Sequence, residues 1–468
     1  MGLLNLSRPV EFDGVSRVTA VFYDEQCGHV ISVRSGGATG VVVRSTQATI
    51  ATHTLGDPGA GPVISIKLSP NHATLSVQRS TSTVTFLPVA GAGADSGELE
   101  YSQASRAKSS SVLGFVWLSN TELVFVTDCG LEVYSVAQDK RQVKYVRSVT
   151  EAVAWYTCHV AGHVLVTSSS QETDTVTVWA VRAGTIVKVT SLALPGRVRD
   201  RDLRMLSVYE TTLISVAVPS LGEVHLYTLK NDTVTWSHVL TDVDSGGVID
   251  VHTLDNLIIV HSQTLSRSKL YDLQLSSPDP EHAAVARVRP ALPPTSLCGN
   301  DGAPLAQYSP HWVVFLPNIL VDARNGKMWA VNMKLTSAHL PAAPASSLTT
   351  AQFLLHRAHG KAPLVQLLRA CVRCRAPLAS LQQLLGCVVA AYTSHQQHRA
   401  AAGPGEATVS CSAAARRTPA ASPDTFPPAV VLDQSDIFTS VLNTFDSSGI
   451  LAYLFASFKT HSHTHWRN

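Results

Sequence analysis

The fold is decided by the segment Thr121-Glu-Leu-Val-Phe-Val-Thr-Asp128 and the segment that follows it, Leu131-Glu-Val-Tyr-Ser-Val136. Both are short runs rich in Val, Phe and Tyr, and the stretch between them contains Asp and Gly, which favour turns. Such a pair predicts two antiparallel strands joined by a hairpin. Similar runs follow one another from residue 10 to about residue 335, which predicts a mainly β protein.

A longer period selects the β architecture. One bulky residue recurs at the end of a strand-like run in steps of 43, 48, 45, 48, 44 and 58 residues, and about four such runs fall in each interval. The recurring residues are Val43, Phe86, Tyr134, Trp179, Tyr227, Tyr271 and Trp329. This arithmetic predicts a seven-bladed β-propeller, with the proline-rich segment Pro278–Pro304 as a loop added to one blade. Because the Trp-Asp signature is missing, the prediction depends on the period and the strand content.

The pattern changes after Pro341. Ser347–Ala358, Pro363–Cys374 and Pro377–Tyr392 have apolar residues at helical spacing, so a partial α-helical, solenoid-like domain is predicted after the propeller. The domain boundaries expected are a propeller at 10–336, a helical segment at 345–393, an Ala/Pro-rich linker at 394–430 and, at 431–468, the start of a truncated C-terminal helical domain. In the last of these, Asp433 is expected to cap a helix.

Charge is low and unevenly distributed. Charged residues make up 15% of the chain and the net charge is +2, which excludes a chain built mainly to neutralise nucleic-acid phosphates. Residues 323–405, however, carry nine Lys and Arg side chains and no Asp or Glu. This segment predicts either an ordinary solvated face or a surface for anionic lipid or an acidic partner. The candidate residues for such a surface are Arg357, Lys361, Arg369, Arg373 and Arg375.

Other motifs point to structure instead of chemistry. The glycine-rich segment Arg34–Gly40 leads into a strand and lacks the Lys-Ser/Thr of a phosphate-binding loop, so a hairpin is predicted. Cys371-x-x-Cys374 has no second pair at zinc-site spacing, and the histidines at 461, 463 and 465 are isolated in the tail. No catalytic set stands out, so no enzyme activity, cofactor or metal is expected, although catalytic groups can be far apart in sequence.

The cysteines and the termini indicate a compartment. Eight scattered cysteines are typical of free thiols in a reducing cytosol, and the start Met1-Gly-Leu-Leu-Asn-Leu6 lacks the features of a signal peptide. No apolar stretch approaches about 20 residues, so a soluble protein with at most peripheral membrane contact is predicted.

Several segments, taken in order, resemble one family, the regulator of the Mon-one–Ccz-one complex (also called the Mic-one or colon-cancer-associated protein family). The similarity covers about residues 8–370 and returns around 431–445; after Phe445 it stops, so the chain resembles a C-terminally truncated member. The segments are Val33-Arg-Ser-Gly-Gly-Ala-Thr-Gly-Val-Val-Val43, Leu113-Gly-Phe-Val-Trp117, Thr121–Asp128, Arg182-Ala-Gly-Thr185, Asp255-Asn-Leu-Ile-Ile-Val-His261, Trp312-Val-Val-Phe315 and Gly326-Lys-Met-Trp329.

This resemblance implies a non-catalytic scaffold subunit of a Mon–Ccz guanine-nucleotide exchange complex. It implies Mon-one and Ccz-one homologues as partners, the late-endosomal Rab GTPase (Rab-seven) as the indirect target, and roles in endosome maturation, lysosomal trafficking and autophagy. The expected location is the cytosol, with peripheral association with late endosomes and lysosomes. Two alternatives stay open: a propeller–solenoid subunit of another vesicle coat or tether, and a propeller enzyme with a site in the central channel. A cluster of titratable residues in that channel would favour the enzyme.

Overall fold

The chain folds into a ring of seven β-sheets with helices packed at one side. We analysed a computed structural model, which describes residues 2–15, 19–37, 39–45, 49–55, 61–89, 100–107, 109–182, 184–245, 247–279, 282, 284–305, 307–335, 347–402, 429–433 and 435–441. Each sheet begins with an innermost strand, and the innermost strands of several neighbouring sheets contact one another around the central axis. The predicted seven-bladed β-propeller is therefore confirmed.

The blades follow one another along the chain. Blades 1 to 3 consist of β3 (Thr19–Asp24), β4 (His29–Arg34), β5 (Gly40–Arg44), β6 (Thr49–His53), β7 (Ser65–Leu68), β8 (Thr74–Gln78), β9 (Thr83–Pro88), β10 (Tyr101–Ala104), β11 (Val112–Trp117), β12 (Glu122–Thr127), β13 (Gly130–Ala137) and β14 (Gln142–Thr150). Blades 4 and 5 consist of β15 (Trp155–His159), β16 (Val164–Ser168), β17 (Thr173–Arg182), β18 (Thr185–Val198), β19 (Leu203–Val208), β20 (Thr211–Val218), β21 (Glu223–Lys230) and β22 (Thr233–Leu240). Blades 6 and 7 consist of β23 (Ile249–Leu254), β24 (Leu257–Ser262), β25 (Arg267–Tyr271), β29 (Trp312–Phe315), β30 (Ile319–Asp322) and β31 (Lys327–Met333), joined by the N-terminal strand described below.

The recurring bulky residues have one structural position. All seven lie on the third strand of a blade, from Val43 on β5 to Trp329 on β31. Phe86 of blade 2 packs with Trp117 and Phe125 of blade 3, and Trp179 of blade 4 packs with Val124 of blade 3. These side chains fill the space between neighbouring sheets, so the sequence period follows from one packing requirement repeated seven times.

The ring is closed by the first strand of the chain. Strand β1 (Leu4–Leu6) pairs antiparallel with β31 as the outermost strand of blade 7, and β2 (Val10–Glu11) pairs with β31 farther along. The propeller thus starts before residue 10, the predicted start. Two leucines on either side of Asn5 are too few to show strand periodicity, and Leu4 and Leu6 are buried by packing against other parts of the fold.

The proline-rich insertion is structured. It contains β27 (Ala286–Val288) and β28 (Leu297–Cys298), which follow the short strand β26 (Ser277–Pro278). Strands β26 and β27 extend blade 5, whereas β28 pairs parallel with β1. The insertion therefore joins two blades instead of belonging to one, and it braces the strand that closes the ring.

Three helices follow: α1 (Ser347–Leu355), α2 (Lys361–Arg373) and α3 (Leu378–Ala402), and a short π-helix spans Asp436–Val441. Helix α3 continues past residue 393 into the predicted linker, because Ser-His-Gln-Gln-His-Arg-Ala-Ala-Ala at 394–402 contains mostly good helix formers. The helices share one apolar core with Leu257 and Leu270 of blade 6 and Leu4 of β1. The remainder of the predicted linker up to 428 and the tail from 442, with its three histidines, lie outside the described residues.

Candidate functional site

The basic residues predicted to form one surface take three different positions. Arg357, just after α1, is completely buried, whereas Lys361 begins α2 and is exposed. Arg369 is half-buried on α2, and Arg373 and Arg375 are exposed at its C-terminal end. Arg357 is thus wrong as a surface residue: its guanidinium is enclosed by acidic and carbonyl oxygens of the propeller.

Arg357 forms a buried ion pair between the helices and the ring. Its Nη2 atom is 2.8 Å from Oδ2 of Asp272 and 2.6 Å from the hydroxyl of Tyr209, and that hydroxyl donates to Oδ1 of Asp272 at 2.8 Å. Burial raises the pKa of Tyr209, so its hydroxyl stays protonated and able to donate. The carbonyls of Asp255 and Phe353 accept the remaining Arg357 hydrogen bonds. The network fixes the end of α1 to blades 5 and 6.

Two other basic residues join α2 to the π-helix. The Lys361 ammonium is 2.8 Å from Oδ2 of Asp436, and Arg369 donates from Nε to the carbonyl of Ser440. The acid-free segment is therefore partly neutralised by acids outside it. The end of α2, with Arg373 and Arg375, is where the predicted basic surface stays accessible.

The innermost strands bring several charged groups together in the central channel. Glu25 follows β3 of blade 1, Lys67 lies on β7 of blade 2, Arg204 on β19 of blade 5 and Asp250 on β23 of blade 6. Glu25 interacts electrostatically with Arg204 and Lys67, and Asp250 with Arg204. Groups from blades so far apart along the ring meet in this way only across its axis. None of the ion pairs found in the described part of the chain joins these four side chains.

The channel shifts the proton equilibria of these groups. Burial raises the pKa of Glu25, although the positive charges of Arg204 and Lys67 oppose this rise. Burial also raises the pKa of Asp250. Burial alone would lower the pKa of Lys67, but neighbouring acidic groups, including Tyr156 and Asp24, raise it above its usual value. The sequence did not reveal this cluster because its members are spread over more than 200 residues and follow no motif.

The glycine-rich segment and the Cys371–Cys374 motif are both parts of the fold. The glycine-rich segment links β4 to β5 as a hairpin, with Arg34 paired to Gly40, as predicted. In the Cys371–Cys374 motif, Cys371 is buried in the helical core beside Ser347, whereas Cys374 is exposed. None of the described helices is both long enough and apolar enough to cross a bilayer.

Comparison with known proteins identifies the family. A human protein named regulator of MON1-CCZ1 complex is 30% identical over 94% of this chain and 69% of its own length. The chain belongs to the regulator of MON1-CCZ1 complex family. The mouse relative of the same name is 31% identical, over 70% of this chain and 53% of that protein. The family model "Regulator of MON1-CCZ1 complex, N-terminal" matches residues 21–143.

Solved structures with some likeness are also propellers. The β-propeller domain of Cps50 (Swd1) from Myceliophteria thermophila is 10% identical, with a TM-score of 0.40 over 70% of this chain and 100% of that domain. The WD40 repeats of RRP9 are 11% identical, with a TM-score of 0.38 over 71% of this chain and 97% of that chain.

Proposed function

We propose that this chain is a non-catalytic regulatory subunit of a MON1–CCZ1 complex. The observation that carries the proposal is the 30% identity with the human regulator over 94% of the chain. The partners would be the MON1 and CCZ1 homologues. Within the complex, the chain would act as a scaffold, and the surface that exchanges nucleotide would belong to the other subunits.

The same proposal assigns the complex to late-endosomal trafficking. The complex would activate the late-endosomal Rab GTPase (Rab-seven) and so support endosome maturation, lysosomal trafficking and autophagy. The chain would be cytosolic and would associate peripherally with late endosomes and lysosomes. Arg373 and Arg375 would contribute to that contact, since each basic side chain near an anionic membrane adds about 1 kcal/mol of binding free energy.

The geometry favours a rigid scaffold. The ring is closed by β1, and Arg357 fixes the helices to blades 5 and 6 through a buried ion pair. Propeller and helices therefore present their surfaces in one fixed arrangement. A platform of this kind suits assembly, because little conformational freedom is left to lose on binding.

Affinity purification of the full-length chain from cells tests the proposal. MON1 and CCZ1 homologues should be recovered together with it, and adding the chain to the purified complex should change the rate at which the Rab GTPase releases nucleotide. Recovery of coat or tether subunits without MON1 and CCZ1 would instead support the coat alternative and overturn the proposal.

One observation favours the channel-enzyme alternative, namely the convergence of Glu25, Lys67, Arg204 and Asp250 on the axis. The variant Glu25→Gln/Lys67→Met distinguishes the two functions. If the chain is a scaffold, the variant should bind MON1 and CCZ1 and affect nucleotide exchange as the parent does. An exchange effect that disappears while binding persists would show that the channel takes part in chemistry.

A further inference from the structure

Two turns on neighbouring blades bring together three side chains that bind metals. Cys27 and His29 lie at the turn between β3 and β4 of blade 1, and His72 lies in the turn between β7 and β8 of blade 2. One ligand atom from each of the three residues lies within 4.8 Å of the others. The imidazole rings of His29 and His72 meet edge to face, with their centroids 5.0 Å apart.

His29 is the residue that points to a ligand. Its side chain is only 5% exposed, and its Nδ1 atom is buried without a hydrogen-bond partner among the described residues. A buried polar atom left unpaired destabilises the fold, so such an atom calls for an explanation.

Asp24 supports the three side chains from behind. Its Oδ1 accepts from the backbone N–H of Gln26 at 3.1 Å, and its Oδ2 accepts from that of Leu68 at 3.1 Å. The carboxylate thereby fixes the blade 1 turn against the innermost strand of blade 2. Its negative charge also interacts with Cys27 and His29. A carboxylate this close to the ligands favours a bound cation through its negative charge.

We propose that Cys27, His29 and His72 form a binding site for Zn²⁺. One thiolate and two neutral imidazoles suit a borderline-soft divalent cation. Around tetrahedral zinc the ligand atoms are roughly 3.3–3.7 Å apart, so the half-buried Cys27 and His72 side chains close in by about 1 Å. The thiol proton leaves to solvent as the metal–sulfur bond forms, and a water molecule completes the fourth position.

Bound zinc links blade 1 to blade 2. The same part of the two blades is also joined by Leu68, whose N–H donates to Oδ2 of Asp24 at 3.1 Å and whose carbonyl accepts from Sγ of Cys27 at 3.9 Å. Because the metal binds the folded arrangement and not the separated turns, its presence stabilises this part of the ring. The site does not depend on the proposed function, although it adjoins the channel, because Asp24 also interacts with Lys67.

Cobalt spectroscopy of the full-length chain tests the site. The parent for this test is His461→Ala/His463→Ala/His465→Ala, so that the tail takes up no metal. With one equivalent of Co²⁺ it should show the visible bands of tetrahedral cobalt and a near-ultraviolet thiolate charge-transfer band. Cys27→Ser should lose the charge-transfer band, and His72→Gln should weaken Zn²⁺ binding at least tenfold by calorimetry. Asp24→Asn should weaken it about 10- to 100-fold.

Matched controls separate the site from non-specific binding. His163 occupies a turn at φ 55°, close to the φ 58° of His72, and Cys129 is an exposed cysteine. His163→Gln, Cys129→Ser and Cys371→Ser/Cys374→Ser should keep the parental spectrum and the rise in melting temperature on adding Zn²⁺. The metal-free melting temperature of each variant is compared with that of the parent, to show that the variant is folded. A parent that binds no cobalt, or a charge-transfer band that persists in Cys27→Ser, would overturn the proposal.

Discussion

Arg357 and Arg373 lie 16 residues apart in the same acid-free segment, but they differ in solvent exposure. Arg357 is completely buried against Asp272, whereas Arg373 is exposed at the end of α2. The first charge holds the helices on the ring and the second stays available to a partner. A count of charges along the chain therefore gives the net charge of a segment, but not the number of charges that reach its surface.

Removing the buried charge should have the largest effect. Arg357→Met leaves the Asp272 carboxylate buried without its cation, so the free energy of unfolding should fall by about 3–5 kcal/mol, as measured by urea denaturation. Arg357→Met/Asp272→Leu should recover much of this loss, because it leaves no uncompensated charge. The matched control is Arg182→Met, which breaks an ion pair with Asp232 that is about half exposed and should cost no more than about 1 kcal/mol. Equal losses for Arg357→Met and Arg182→Met would contradict the assignment.

Lowering the pH should destabilise blade 6, the blade that carries the Asp272 partner of Arg357. His252 and His261 of blade 6 are buried with Nδ1 of His252 and Nε2 of His261 3.0 Å apart, and burial lowers the pKa of His252 from 6.5 to about 4. The unfolded chain therefore takes up a proton before the folded chain does, so the stability from a neutral His252 is present above pH 6.5 and is lost as the pH falls. At pH 5 the loss should be about 2 kcal/mol relative to pH 7.

Thermal melts between pH 7.5 and 5 measure this effect. His252→Gln, whose amide nitrogen can still donate to the Ile319 carbonyl, should have a shallower dependence on pH than the parent. The exposed His163 provides the control, since His163→Gln should leave the dependence unchanged. If the melting temperature of His252→Gln depends on pH as steeply as that of the unsubstituted protein, groups other than His252 cause the pH dependence.

The exposed end of α2 should affect binding without affecting stability. Arg373→Gln/Arg375→Gln should reduce the affinity for vesicles with anionic lipid by about fivefold per charge removed, with the free energy of unfolding unchanged within about 0.5 kcal/mol. Vesicle co-sedimentation at increasing anionic lipid content measures this. Lys140→Gln/Arg141→Gln removes two adjacent exposed charges from the β13–β14 turn and serves as the control. If both double variants bind like the parent, α2 is not a membrane surface.

Lys361 should give the smallest change. Its side chain is 54% exposed, so Lys361→Met should reduce the free energy of unfolding by no more than about 1 kcal/mol despite the ion pair with Asp436. Repeating the urea titration in 0.5 M salt should reduce the difference further, because salt screens exposed charges. If Lys361→Met lowered the free energy of unfolding as much as Arg357→Met does, solvent exposure would not determine how much these ion pairs stabilise the fold.

The propeller could be predicted from the sequence because the same packing problem recurs seven times. Bulky residues on third strands, such as Phe86, Tyr134 and Trp179, pack between neighbouring blades and so mark the period. Strand β1 could not be predicted, since three residues are too few for a pattern. The burial of Arg357 was hidden for another reason: Asp272 and Tyr209, its partners, are 85 and 148 residues away. The channel charges likewise come together only when the ring closes, whereas the Cys27–His29–His72 cluster depends on the packing of blade 1 against blade 2.

Closure by β1 sets an order of events during synthesis. Leu4–Leu6 is made well before its antiparallel partner β31, the last strand of the ring, which ends at Met333. At about 5–20 residues per second, the ribosome needs roughly 20–60 s to deliver that partner. During this interval β1 lacks its partner strand and the ring is incomplete. Molecular chaperones that shield unpaired strands are thus most useful to this protein before its helices have been made.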